Sequence, residues 1–97
     1  VPNALLINIG NFALAVLLAP LVEEILFRGF VLGRLATKWG YRTATIVSSV
    51  VFAALHPDFL GALLFAVVLC VIRARYVSIL APILVHVGNN LVVAALS

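Results

Sequence analysis

Residues 4–34 read ALLINIGNFALAVLLAPLVEEILFRGFVLGR, an apolar run that carries two adjacent glutamates, Glu23 and Glu24, and an arginine, Arg28. About 20 residues cross the hydrocarbon core of a bilayer, so the run is longer than one span needs. It is also too long for a signal-peptide core, which would not contain two glutamates. Pro20 lies inside the run and removes a backbone donor. That predicts a kink there, or a surface-lying start near Asn3, Asn8 and Asn11. Outward from this run, three more hydrophobic segments follow, at about 43–56, 59–72 and 77–96. The last has Pro82 near its first turn, where proline is tolerated best. The second and third are short for a full crossing, which predicts helices packed inside a larger bundle. Runs of this length favour helices over barrel strands, whose signature is alternation over about ten residues. The expected fold is all-α: a polytopic transmembrane helix bundle of about four helical segments, forming one domain over residues 1–97. The chain begins at Val1 rather than Met, and we read it as a segment of a longer multi-pass protein of the cell membrane.

Composition supports the same solvent. Apolar residues make up 66% of the chain and charged residues 9%, against about 25% charged in a soluble domain. Six basic and three acidic side chains cannot coat the surface of a soluble domain this small, so lipid takes that place. The net charge of +3 is not a nucleic-acid signal, because the basic residues are scattered among apolar runs. The single Cys70 excludes an intrachain disulfide and has no base beside it in sequence. Arg34, Lys38 and Arg42, with Trp39 and Tyr41, fall in the first linker, and Arg73 and Arg75, followed by Tyr76, in the third. The second linker holds only Asp58. The positive-inside rule places both basic linkers on the cytoplasmic side, with the aromatic residues at the interface.

The polar residues left inside the segments are the expensive ones: Glu23, Glu24, Arg28, His56, His86 and Asn90. A charge at mid-helix costs about 2.5–3.5 kcal/mol on insertion, and such residues face a bundle interior or a water-filled cavity and mark function. Glu24 and Arg28 are four apart and share a helical face, so they can pair, while Glu23 is rotated by about 100° and points elsewhere. His86 and Asn90, and Phe52 and His56, have the same four-residue spacing. Counting about 1.5 Å per residue from the basic linkers puts Glu23, His56, His86 and Asn90 in one layer roughly 7 Å thick. Taken singly, each has a plainer reading. Glu24–Arg28 is a structural ion pair, His56 a helix cap, and His86–Asn90 a source of interhelical hydrogen bonds. Gly29 and Gly33 form a GxxxG packing pattern, and Phe12, Phe30, Phe52 and Phe65 are packing residues.

Three motifs occur in order. Glu23-Glu24-Ile25-Leu26-Phe27-Arg28 reads EExxxR, Phe52-Ala53-Ala54-Leu55-His56 reads FxxxH, and His86-Val87-Gly88-Asn89-Asn90 reads HxxxN. Together they resemble the CPBP family, the CAAX proteases and bacteriocin-processing enzymes also called Abi proteins, across residues 20–90. The resemblance implies a type II CAAX prenyl protease-like intramembrane endopeptidase acting on a peptide or protein substrate, prenylated in the eukaryotic relatives. It further implies Glu23, His56, His86 and Asn90 as catalytic residues, with Glu24, Arg28 and Phe52 in support.

The residue chemistry agrees. A carboxylate can take the proton of an attacking water, and a neutral imidazole or an asparagine amide can donate to the oxyanion. No cofactor is required by that reading. The alternative is a metalloprotease with zinc held by Glu23, His56 and His86 and one position open to water. Two other classes use similar residues. A proton-coupled transporter or channel would spread them along a path across the membrane, whereas these share one layer. A non-catalytic immunity or scaffold protein would tolerate loss of Glu23. The expected partners are membrane lipid and a peptide, with no nucleic acid. The charge pattern also predicts topology. Single cysteines at Lys38 and Asp58, in a Cys70→Ser background, should react with an impermeant thiol reagent from opposite sides, and labelling from one side would rule out the crossing arrangement.

Overall fold

In the computed structural model, which describes residues 3–96, helix is the only regular secondary structure among the described residues. The all-α expectation holds. The first helix, α1, is continuous: Asn3–Ala13, Leu14–Leu18, Ala19–Glu24, Ile25–Val31 and Leu32–Trp39 follow without a break. Then come α2 (Tyr41–Ala54), α3 (Phe59–Tyr76) and α4 (Leu80–Leu96).

The irregularity expected at Pro20 takes the form of a π-helical stretch, Leu14–Leu18, immediately before the proline's turn. A proline ring crowds the preceding turn and supplies no N–H, and one extra residue per turn relieves the crowding. A second π-helical stretch, Ile25–Val31, follows the two glutamates. The exposed Asn8 and Asn11 lie on the same unbroken helix, while the side chain of Asn3 lies outside the described residues.

Several boundaries differ from the sequence reading. Arg34 and Lys38 were expected in a linker, yet both are helical and the connection shrinks to Gly40. Lysine and arginine are good helix formers, so charge alone does not end a helix. Gly40 does, at φ 85° and ψ 162°, a backbone region essentially reserved for glycine. Its N–H donates to the Ala36 carbonyl at 3.0 Å, and its own carbonyl accepts from Ala44 at 3.1 Å. The third segment runs on to Tyr76, which puts Arg73 and Arg75 in its last turn, where cations offset the partial negative charge of a helix end. At 18 residues α3 is long and apolar enough to cross a membrane, as is Ile7–Trp39 of α1; the expectation that the third segment was short does not hold. Val77, at φ 47°, ends α3 in the left-handed region.

Burial departs from that of a soluble protein. Leu17, Leu18, Ile25, Leu26, Leu64 and Leu84 are exposed, while Glu24, Arg28, Ser48, Ser49 and His86 are buried. Large apolar side chains turned outward around a buried Glu24–Arg28 pair suit a lipid solvent. Small residues let the helices close. Phe27, Phe52 and Ala66 form one packed cluster, and Leu32, Ala44 and Cys70 another. Ser48 and Ser49 on α2 lie 3.9 and 3.8 Å from the Cys70 sulfur on α3. The Tyr41 hydroxyl donates to the Cys70 carbonyl at 2.6 Å, so the two helices are braced at their basic end. The GxxxG pattern packs only in part. Gly29 faces the Ile79 side chain, while Gly33 meets nothing within 4 Å among the described residues.

These observations predict that Gly40→Ala destabilises the protein by about 1–3 kcal/mol, the usual strain of an L residue forced into this backbone region. Thermal unfolding of the detergent-solubilised full-length protein measures it, with Gly33→Ala as the near-neutral control.

Candidate active site

Two helices and one turn bring the site together. Glu23 and Glu24 sit at the end of the turn that begins at Pro20 on α1. His56 lies just beyond the C-terminus of α2, in the turn formed by residues 55–58. His86 is one face of α4, one turn before Asn90. Asp58 caps α3 by accepting from the Gly61 N–H at 3.1 Å. A Cβ at Gly61 would run into the Asp58 carboxylate and displace this cap.

Glu23 is the exposed glutamate of the pair, at 31% side-chain exposure against 0% for Glu24. Its carboxylate oxygens lie 3.5 Å from His56 Nε2 and 3.8 Å from His86 Nε2. Glu23, His56, His86 and Asn90 all line one cavity of about 670 Å³, together with Phe52, Phe65 and Asp58. The four residues singled out from spacing and motif therefore share one wall-to-wall space. Asn90 faces two ways, since its amide also donates to the Ala15 carbonyl on α1 at 3.0 Å.

Hydrogen bonds fix the ring tautomers. His56 Nδ1 lies 2.7 Å from the Phe52 carbonyl, which can only accept, so the ring donates from Nδ1. His86 Nδ1 lies 2.6 Å from Glu24 Oε2 and donates to that carboxylate. In the neutral form both rings then turn an Nε2 lone pair toward Glu23. A carboxylate behind a histidine that steers its other nitrogen is a recurring way to orient an imidazole.

Glu24 does more than the sequence reading assigned to it. Arg28 Nη1 reaches the same Oε2 at 3.3 Å, so the expected i,i+4 pair is present, but the oxygen is shared with His86. Glu24 Oε1 and Arg28 Nε and Nη2 are buried without a hydrogen-bond partner among the described residues. Arg28 is held from the other side by the face of Phe52, with its guanidinium carbon 4.5 Å from the ring centroid, a cation–π contact. Phe52 also stacks on His56 at 4.3 Å and meets His86 edge-on at 6.1 Å. The aromatic of the second motif is thus the packing hub of the cluster.

Phe65, read from sequence only as a packing residue, stands edge-on to His86 at 5.2 Å. Asp58, read only as a linker charge, is on the cavity wall. Nothing in their spacing separates them from ordinary packing and capping residues. Among the described residues, no group of three His, Cys, Asp or Glu side chains is arranged to hold a metal ion.

A membrane helix bundle with a buried carboxylate–histidine cluster opening on a cavity defines the class. Comparison with known proteins gives the family. The sequence profile of the type II CAAX prenyl endopeptidase Rce1-like family matches residues 5–92, and the chain belongs to that family. A Bacillus subtilis (strain 168) protein named "Putative membrane peptidase YdiL" is 32% identical over 77 residues, covering 76% of this chain. The chain spans 32% of the length of that relative. No solved structure matches.

The shared oxygen makes the two glutamates unequal. Glu24→Gln leaves Arg28 buried without its counter-charge, a defect of about 3–5 kcal/mol when one partner of a buried pair is lost. The expected outcome is a sharp fall in melting temperature and membrane abundance for Glu24→Gln and little change for the half-exposed Glu23→Gln. Equal stability of the two variants would show that the Arg28 pair does not hold the cluster.

Proposed function

We propose that this chain carries the active site of a multi-pass membrane endopeptidase, with Glu23 activating water for attack on a peptide bond. The observation that carries the reading is the Glu23 carboxylate facing Nε2 of both His56 and His86, at 3.5 and 3.8 Å, on the wall of a 670 Å³ cavity. A water placed against Glu23 and His56 is within hydrogen-bond reach of both, as a general base requires. On attack, the water oxygen bonds to the scissile carbonyl carbon and its proton passes to Glu23. When the tetrahedral intermediate collapses, the C–N bond breaks and the proton passes from Glu23 to the leaving amine.

The oxyanion needs a donor. The sequence reading offered a neutral imidazole or an asparagine amide, and with Nδ1 turned to Glu24 a neutral His86 has only a lone pair at Nε2. In this proposal the Nε2 edge of His86, which lines the cavity, is turned to the oxyanion. Phe52 and Phe65 hold the two rings in place, and Asn90 of the third motif lines the same cavity. The substrate class is a peptide presented at the membrane, and the family's description as a prenyl endopeptidase makes a lipid-linked peptide the first to try.

Purified full-length protein should cleave a membrane-anchored peptide. Glu23→Gln, nearly isosteric but unable to accept the proton, should lose at least about 10²-fold in rate, the usual contribution of a general base. His56→Ala and His86→Ala should each be severe, and their combination with Glu23→Gln should add little. Rates are compared on equal amounts of folded protein. Near wild-type cleavage by Glu23→Gln would overturn the assignment. Loss of activity with a chelator and recovery with zinc would replace it by the metal-held alternative.

A further inference from the structure

The backbone around Pro20 leaves one carbonyl without its regular partner. The Ala19 N–H donates to the Leu14 carbonyl, five residues back. In that π register the next donor, to the Ala15 carbonyl, would be the nitrogen of residue 20, and a proline nitrogen has no hydrogen. The Asn90 side-chain amide fills the vacancy, donating to the Ala15 carbonyl at 3.0 Å. In a membrane bundle a backbone group freed by proline is satisfied by a donor from a neighbouring helix.

We propose that Asn90 is a positioning residue, which acts by bonding the carbonyl freed by Pro20 and so fixes α4 against α1. The proposal deepens the hydrolase reading and rests on it for the kinetic part alone. Its physical basis is that α1 and α4 are tied twice, along one face of α4. His86 bonds Glu24 at 2.6 Å, and Asn90, one turn later, bonds Ala15. A single tie leaves α4 free to swing about it and carry His86 Nε2 away from Glu23. Two ties one helical turn apart fix both rotation and slide. The third motif thereby joins a group of the reacting cluster to a structural clamp. The proline three residues before Glu23 gives the clamp its acceptor.

The idea makes Asn90 and Pro20 energetically coupled, which a direct substrate donor would not be. Pro20→Ala restores an N–H at that position, so the Ala15 carbonyl no longer depends on Asn90. In the full-length protein, Asn90→Ala should lower kcat per folded molecule at least tenfold with KM changed less than threefold. In the Pro20→Ala background, the same substitution should lower kcat less than threefold. An equal loss in both backgrounds would assign Asn90 to the substrate instead. No loss of kcat in either would leave it a merely structural residue and overturn the proposal. The melting-temperature cycle needs no cleavage. Asn90→Ala should lower the midpoint less in the Pro20→Ala background, and equal shifts would refute the bond whatever the protein hydrolyses. A further readout avoids replacing Pro20. Cysteines at Ala15 and Ala94, which line one cleft with Asn90, should crosslink with a short bifunctional reagent in a Cys70→Ser background. Asn90→Ala should cut that yield at least threefold, and an unchanged yield would overturn the clamp.

Discussion

Glu24 Oε2 accepts from Arg28 on its own helix and from His86 on α4. The rest of the arrangement depends on this shared oxygen. Without Arg28 the carboxylate would be a bare charge in a lipid-facing bundle, at a cost that would neutralise or expel it. Without Glu24 the arginine would be equally stranded. Once the pair exists it can orient a third group, and the histidine that arrives 62 residues later in the chain is that group. The charge that makes α1 expensive to insert is the same charge that selects its partner helix. Specificity of helix packing and orientation of a ring then come from one contact.

The two adjacent glutamates divide the work because a helix turns by about 100° per residue. One points into the packed interior and meets Arg28, Phe52 and His86. The other points at the cavity, where it is about one-third exposed and faces the two Nε2 atoms. Adjacent, chemically identical side chains are thus given different surroundings by helical geometry alone. Phe52 serves both, with its ring over Arg28 on one contact and stacked on His56 on another. The chain belongs to the Rce1-like family, and in the hydrolase reading proposed above the peptide lies in the cavity beside Glu23.

Much of this was legible before any coordinates. Composition and run length were enough for an all-α membrane bundle, because a chain with 9% charged residues has no soluble surface to present. Motif order and four-residue spacings picked out the residues that surround the cavity, since i and i+4 share a face on any helix. Helix ends were less legible. Arg34, Lys38, Arg73 and Arg75 looked like linker because charge was read as an end signal, while those two helices run on to Gly40 and Val77, where the backbone turns to positive φ.

Sequence by itself therefore determined the solvent, the secondary structure and the list of polar residues that lipid would force together. Only the tertiary structure decided who bonds whom. The pairing of Glu24 with His86, the Arg28 guanidinium over Phe52, the edge of Phe65 against His86 and the bond from Asn90 to Ala15 all join different helices. Periodicity fixes which side of one helix a residue occupies. It carries no information on the rotation of one helix relative to another, and that rotation is set by the sum of all the contacts that form when the helices pack.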